Sequence, residues 1–201
     1  MKDSYGFIAP FYNRLAKLVF GNQLAVAKRS FISRLGEKKV LIIGGGDGKD
    51  YQNYQENLLG DYWELSQSML VLSKKNLHRS SLNFHLGNFR QKENHTFDEI
   101  WLHFVLDTMF DSEIMELLDQ LKRSLNQEGR IFFVDFFQPT TLKNKMLQFF
   151  MISFFRMVAQ HKRKNIPEYE ELFKRCLWEK EKEQIFLKGW VKAQVWKISE
   201  G

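Results

Sequence analysis

The organisation of this chain follows from the stretch Lys39-Val40-Leu41-Ile42-Ile43-Gly44-Gly45-Gly46-Asp47-Gly48-Lys49-Asp50. Its run of apolar residues ending in glycine predicts a buried parallel strand. The closely spaced glycines that follow suit neither a strand nor a helix. A backbone without Cβ atoms can lie directly against a flat or anionic ligand at the carboxyl end of a strand, where open α/β sheets bind ligands. We therefore predict a ligand-binding loop here, the alternative being a tight strand-to-helix turn without a ligand.

The spacing of the glycines distinguishes between ligand classes. A dinucleotide-binding fingerprint reads G-x-G-x-x-G, but Lys49 stands where its third glycine would fall. From Gly44 to Gly48 the loop reads G-x-G-x-G, and this spacing resembles the cofactor loop of the class I S-adenosylmethionine-dependent methyltransferases. It is also similar to the spermidine synthases, whose loop often reads G-G-G-D-G. Most methyltransferases carry Asp or Glu two positions before the first glycine, and Ile42 at that position favours the synthase-like version of the loop.

Composition narrows the class of protein. The 201 residues are enough for one domain with a substantial core. The net charge of +6 comes from basic and acidic residues spread along the chain, which is typical of a solvated surface and argues against a nucleic-acid partner. The single cysteine, Cys176, excludes a disulfide within the chain and a zinc cluster. We therefore expect no metal, and a monomer or a homodimer.

Membrane and targeting signals are weak. The first residues lack the apolar segment of a signal peptide. The longest apolar run, from Met146 to Phe155, contains Gln148 and Ser153 and is too short to span a bilayer. We expect a soluble, cytoplasmic protein without a membrane span.

The resemblance and the apolar periodicity together predict the architecture. They imply an α/β fold of three layers, with a Rossmann-like, doubly wound, mostly parallel sheet of seven strands that ends in a C-terminal antiparallel hairpin at 178–198. The whole chain, 1–201, is expected to be one domain, with an N-terminal helical lid at 1–36 and a helical insertion at 140–176. An amphipathic helix is predicted to start with a cap at Asp111-Ser112 and to end at Gly129.

The resemblance also implies which residues hold the cofactor, S-adenosylmethionine. Glu64 follows the second predicted strand, twenty residues after Gly44, and an acid at this distance accepts hydrogen bonds from ribose hydroxyls. Asn88 takes the place of the family's usual Asp at the adenine amino group, with Phe89 packing on the ring. The alternatives are a surface Glu and an Asn in a turn. The full set of expected cofactor-binding residues is Gly44, Gly45, Gly46, Gly48, Glu64, Leu65, Met69, Asn88, Phe89 and His103.

Catalytic residues are harder to predict, because methyl transfer depends mainly on positioning and a general base is needed only for some acceptors. His103 follows the fourth strand and is the first candidate base, although a core or cofactor-contacting histidine fits that position as well. Tyr12 and His161 are weaker candidates. The segment rich in Phe and Met at 146–157 is expected to form a wall of the acceptor pocket, core packing and a membrane or dimer contact being the alternatives.

The predicted function is methyl transfer from S-adenosylmethionine to a small molecule, with an apolar or aromatic acceptor. The spermidine-synthase-like alternative is aminopropyl transfer, but the Asp-rich signature expected after the fourth strand is replaced by His103-Phe104-Val105-Leu106. A non-catalytic protein that binds S-adenosylmethionine is the third possibility.

Overall fold

The structure is a computed structural model, and it describes residues 20–32, 38–93, 95–142, 144, 146–147 and 165–199. Tyr12 and His161 lie outside these residues, as do most of the predicted lid and most of the Phe- and Met-rich segment. Among the described helices, none is long and apolar enough to cross a membrane.

The central element is a seven-stranded sheet. Its strands are β1 Lys39–Ile43, β2 Leu59–Glu64, β3 Ser81–Leu86, β4 Phe97–His103, β5 Leu125–Phe136, β6 Trp178–Phe186 and β7 Val191–Ile198. The strand order is β3-β2-β1-β4-β5-β7-β6, parallel from β3 to β5, with both pairings of β7 antiparallel. This confirms the predicted mostly parallel sheet that ends in a C-terminal hairpin.

Helices cover both faces of the sheet. They are α1 Gln23–Arg29, α2 Gln67–Asn76, α3 Asp111–Arg123 and α4 Tyr169–Arg175, together with a long 3-10 helix, Lys49–Asn57, and a short one, Leu106–Thr108. The apolar faces of α3 and α4 belong to one buried cluster, which includes Ile43, Leu102 and Phe133 of the sheet. Buried residues of α2 and of the long 3-10 helix belong to a second cluster with Val40 and Trp101. The result is the expected three-layer arrangement.

The amphipathic helix α3 differs from its prediction at both ends. It ends at Arg123 instead of Gly129, because Leu125 already pairs with Phe97 in the sheet. Apolar periodicity placed Leu125 on the helix face, and strand pairing overrode it. At the start, the backbone N–H of Phe110 donates to the Glu113 carboxylate at 2.7 Å, so Glu113, and not Asp111-Ser112, provides the side-chain cap.

The register of the sheet fixes the position of the site. Ile43 pairs with Trp63 on one side and with Leu102 on the other, and Leu102 pairs with Phe133. The carboxyl ends of β1, β2, β4 and β5 therefore lie side by side along one edge. The glycine loop, Glu64 and His103 all follow from strands that end there.

Candidate active site

The glycine loop leaves β1 in a left-handed conformation that favours glycine, with φ of +66° at Gly44 and +67° at Gly46. A Cβ at Gly44 would lie 2.7 Å from Val105 Cγ2, and one at Gly45 would overlap the Tyr62 ring. Packing inside the protein therefore accounts for these two glycines without any ligand. Gly46 is different, because a Cβ there would meet no atom of the described residues within 4 Å. Packing against the described part of the chain therefore does not explain a glycine at this position.

Glu64 meets the glycine loop directly. Its Oε2 accepts a hydrogen bond from the Gly46 N–H at 3.0 Å, and its Oε1 accepts one from the Ser66 N–H at 2.9 Å. The Tyr62 hydroxyl also holds the loop, because it donates to the Gly46 carbonyl at 2.9 Å. Burial raises the pKa of Tyr62 well above its usual range, so this phenol stays protonated and can donate. The two predicted halves of the cofactor site therefore come together.

A partly apolar surface lies beside Glu64 at the ends of β2 and β3. Leu65, the next residue, is 60% exposed, which is unusual for a leucine. Asn88 is exposed just beyond β3, and Phe89 is buried with its ring 5.7 Å from that of Trp63 in an edge-to-face contact. Met69 is half-buried in the first turn of α2. Flat apolar surface and an amide at one edge suit a nucleobase.

His103 is only 3% exposed at the end of β4. Its Nδ1 lies 2.9 Å from the Tyr51 hydroxyl, whereas its buried Nε2 makes no hydrogen bond to any described residue. Burial, with a smaller contribution from Lys28, lowers the pKa of His103 to about 3. A general base works best with a pKa near the operating pH. The environment of His103 therefore favours a core or cofactor-contacting histidine over a base.

An ion pair stands next to this histidine and was not foreseen from the sequence. Lys28 Nζ of α1 lies 2.8 Å from Asp50 Oδ2, in the first turn of the 3-10 helix that follows the glycine loop. Burial opposes ionisation of Asp50, but attraction to Lys28 outweighs it and holds the pKa of Asp50 below its usual value. Lys28 also lies 5.6 Å from the centre of the Phe104 ring. One positive and one negative group thus flank the loop on the side of β4.

Two carboxylates near the ends of β4 and β5 were also missed. Asp135 is fully buried, and its Oδ2 accepts hydrogen bonds from the N–H groups of Leu106 and Asp107 at 3.2 and 3.3 Å. Its Oδ1 accepts one from the Phe136 N–H at 2.8 Å. Burial, followed by the nearby charge of Asp107, raises the pKa of Asp135 well above its usual range. Asp107 itself is half-buried, so a substrate can reach it more readily than it can reach Asp135.

The turn that carries Asp107 is held in an unusual backbone conformation. Phe104, the residue after β4, has a φ of +56°, which a bulky side chain rarely adopts. Its N–H donates to the Val134 carbonyl at 2.7 Å. Strained residues of this kind cluster at active sites, where surrounding contacts hold them in place.

The sequence contained one signal for this pair. Asp135 is an acid inside the otherwise apolar run from Ile131 to Phe136, and a charge in a buried strand needs partners. Nothing in the sequence indicates that those partners are the N–H groups after β4, because only the parallel pairing of β4 and β5 brings them together.

The residues at this edge fit a nucleoside that carries an amino acid. A carboxylate offers about four acceptor positions. The two oxygens of Glu64 can therefore accept hydrogen bonds from ribose hydroxyls in addition to those from the N–H groups of Gly46 and Ser66. Leu65 and Asn88 suit an adenine, and the Lys28–Asp50 pair suits a zwitterion. No group of His, Cys, Asp and Glu among the described residues has the arrangement of a metal site.

Comparison with known proteins identifies the family of this chain. The family model described as "O-methyltransferase domain" matches residues 63–178, which is more than half of the chain. No curated protein sequence matches the chain.

Solved structures share the fold at low sequence identity. A TehB-like SAM-dependent methyltransferase from Corynebacterium glutamicum is 12% identical, with a TM-score of 0.66, over 98% of this chain and 99% of that one. DhpI, solved in complex with SAH, is 12% identical, with a TM-score of 0.70, over 98% of this chain and 94% of its own. The pyocyanin biosynthetic protein PhzM is 15% identical, with a TM-score of 0.70, over 96% of this chain but only 60% of its own length. These similarities show the Rossmann-like methyltransferase fold.

Proposed function

Because this chain belongs to the O-methyltransferase domain family and is an S-adenosylmethionine-dependent methyltransferase, we propose that it methylates an oxygen atom of a small apolar or aromatic molecule. The observation that carries the proposal is the contact between Glu64 and Gly46, which joins the acid and the glycine loop into one site at the carboxyl edge. The family match also favours methyl transfer over aminopropyl transfer.

The described residues divide the work between cofactor and acceptor. Glu64 binds the two ribose hydroxyls, since two adjacent hydroxyls match two carboxylate oxygens. Leu65, Met69, Asn88 and Phe89 surround the adenine. On the other side of the glycine loop, Lys28 binds the carboxylate of the amino-acid end, and Asp50 binds its ammonium group. Each side chain then exchanges its partner in the Lys28–Asp50 pair for a ligand group of the same charge.

Bound S-adenosylmethionine supplies an electrophilic methyl group. The protein's contribution is to hold the acceptor oxygen in line and to exclude water. Phe104 and Phe110 lie after β4, and Phe110 is 43% exposed. These aromatic side chains provide a wall for a flat or apolar acceptor.

A hydroxyl acceptor must lose its proton as the new bond forms. Asp107 is placed to take it, since its side chain is half-buried near the end of β4 and lies close enough to Asp135 to act on its pKa. Asp107 therefore replaces His103 as our candidate base, and His103 remains a candidate cofactor contact.

Calorimetry with S-adenosylhomocysteine tests the cofactor half of the proposal. We expect wild-type protein to bind it at micromolar concentrations and Glu64→Ala to bind about 100-fold more weakly, since two charge-assisted hydrogen bonds are lost. Glu56→Ala is the matched control, because Glu56 is an exposed acid that pairs with Arg79 on the surface. Wild-type protein that does not bind, or equal binding by Glu64→Ala, would overturn the assignment.

A screen with cofactor labelled in the methyl group tests the acceptor half. The panel contains aromatic and aliphatic alcohols, each with its amine and its thiol analogue. We expect label on the alcohols, and label confined to amines or thiols would contradict the proposed oxygen acceptor.

A further inference from the structure

The connection from β3 to β4 crosses the sheet without a helix among its described residues. β3 ends at Leu86 and β4 begins at Phe97, with β2 and β1 lying between these two strands in the sheet. Parallel strands are normally joined by about a dozen residues or more, usually including a helix. Here only ten residues make the crossing. We call residues 87–96 the crossover strap.

The strap has little spare length. The strap runs from the carboxyl end of β3 to the amino end of β4. It crosses three strand spacings of about 4.8 Å and returns along a strand length of about 20 Å, so its ends are roughly 25 Å apart in a straight line. The path over the face of the sheet is longer than this. Ten residues reach at most about 35 Å when fully extended, and some of this reach is lost in a turn closed by the His95 N–H on the Lys92 carbonyl at 3.3 Å. A displacement at one end of a short strap is therefore passed to the other end.

The two ends of the strap have different surroundings. Its first residues include Asn88 and Phe89, at the carboxyl edge beside Glu64. Near its last residues, His95 reaches the buried carboxylate of Asp61, which is 3% exposed in the middle of β2. His95 Nε2 lies 3.1 Å from Asp61 Oδ2.

The partners of His95 indicate which ring nitrogen donates. Lys39 Nζ lies 3.4 Å from His95 Nδ1. A lysine ammonium has donors only, so Nδ1 acts as the acceptor and Nε2 carries a proton. His95 therefore donates to Asp61, and this hydrogen bond fastens the strap to β2.

Asp61 also supports the other end of the strap. Its Oδ1 accepts from Asn83 Nδ2 at 3.2 Å, and His85 Nε2 lies 3.4 Å from its Oδ2 without making a hydrogen bond. The His85 ring stacks on Trp63 with centroids 4.4 Å apart, and Trp63 in turn meets Phe89. One buried carboxylate thus contacts both the strap and the aromatic support beneath Phe89.

We propose that Asp61, acting through His95 and the crossover strap, is a positioning residue for the adenine side of the cofactor site. The inference rests on the proposed function, because that is what places adenine at Asn88 and Phe89. Asp61 and His95 touch no ligand; they set where the adenine-contacting residues stand. Loss of the Asp61–His95 hydrogen bond lets the strap shift and moves Asn88 out of reach of the base.

The test compares two substitutions at His95. His95→Leu removes the donor, whereas His95→Gln restores an amide N–H near the position of Nε2. His78→Leu is the matched control, since His78 is exposed and its ring nitrogen lies 3.1 Å from the Lys75 carbonyl, three residues away. Each protein is titrated by calorimetry with S-adenosylhomocysteine and with its purine analogue, in which a hydrogen atom replaces the adenine amino group.

We expect wild type to prefer the adenine ligand, since the Asn88 amide oxygen can accept from its amino group, and His95→Leu to bind it about tenfold more weakly, the effect of one lost hydrogen bond, with the preference over the purine analogue largely lost. His95→Gln should recover both affinity and preference, and His78→Leu should match wild type. An unchanged preference in His95→Leu overturns the inference, whether or not the overall affinity falls. If His95→Leu does not fold, His95→Phe, which keeps a ring and also removes the donor, is judged by the same ratio of affinities. Wild type that binds neither ligand refutes the proposed function instead.

Discussion

The carboxyl edge of the sheet has two halves that are built differently. Above β1 and β2 lie the glycine loop, the half-buried carboxylate of Glu64 and the exposed Leu65. Above β4 and β5, the ionisable groups His103 and Asp135 are buried in the protein. In our proposal the first half is the surface that binds the cofactor. In the second half, the charge of each group is set by its neighbours in the fold.

We expect the first half to contribute to ligand affinity and the second half to the chemical step. Hydrogen bonds from rigid backbone and a strand-end acid give binding without any change of protonation. Buried groups have shifted pKa values, which is the usual way in which proteins prepare acids and bases. Substitutions in the first half should therefore change ligand affinity, and those in the second should change turnover or pH dependence.

The largest effect is expected for Asp107→Asn. Removal of a general base typically costs about 100- to 10,000-fold in rate, so kcat should fall by about 1000-fold while the affinity for S-adenosylhomocysteine stays within about twofold. Turnover is measured with the acceptor found in the screen. Asp111→Asn, an exposed acid at the start of α3, is the control and should keep wild-type kcat. Near-normal turnover by Asp107→Asn would move the base elsewhere.

The second prediction concerns stability against pH. The pKa of His103 is about 3 in the folded protein and 6.5 in the unfolded chain. Between these values the unfolded chain binds a proton that the folded protein does not, so stability falls as the pH drops below 6.5. For this histidine the loss amounts to about 2 kcal/mol between pH 7 and pH 5.

Urea unfolding at the two pH values checks this sign. His103→Gln should lose about 2 kcal/mol less than wild type on acidification, whereas His78→Gln should behave as wild type. The raised pKa of Asp135 acts in the opposite direction, since its folded form holds the proton more tightly and gains stability as the pH falls. That contribution is common to all three proteins. Identical acid sensitivity in His103→Gln and wild type would rule out the buried neutral histidine.

A smaller effect is expected for Lys28→Met, which tests whether the boundary between the two halves binds the amino-acid end of the cofactor. Affinity for S-adenosylhomocysteine should fall about tenfold, as expected for one charge-assisted hydrogen bond, while affinity for 5′-methylthioadenosine, which lacks the amino acid, should not change. Lys75→Met, exposed at the far end of α2, is the control. Equal losses for both ligands would show a general disturbance of α1 and not recognition of a carboxylate.

The smallest effect is expected for Gly46→Ala. Comparison with Gly21→Ala distinguishes backbone strain from a loss of ligand binding at the glycine loop. Gly46 and Gly21 have similar φ values, +67° and +59°, and at either position a Cβ would meet none of the described atoms within 4 Å. Alanine at either site should lower the free energy of unfolding by about 1 kcal/mol, the cost of a left-handed residue with a side chain. Only Gly46→Ala should also weaken binding of S-adenosylhomocysteine, by severalfold. Equal affinity in the two variants would mean that the ligand does not approach Gly46.

Several features could be predicted from the amino-acid pattern because they depend on local chemistry. Four apolar residues before a glycine loop give β1, and alternating charges at 179–183 give the edge strand β6. The ends of α3 could not be predicted in this way. Leu125 fits the helical face equally well, and its pairing with Phe97 is a contact between residues far apart in the chain.

The sequence by itself determined the strand and glycine loop, the acid at position 64 and the C-terminal hairpin, because each is encoded by neighbouring residues whose backbone preferences need no distant partner. Only the tertiary structure decided that Asp107 lies beside Asp135, that Lys28 pairs with Asp50 and that His103 is buried and neutral. The physical reason is that ionisation depends on solvent exposure and on nearby charges, and both are set by segments that the sequence keeps far apart.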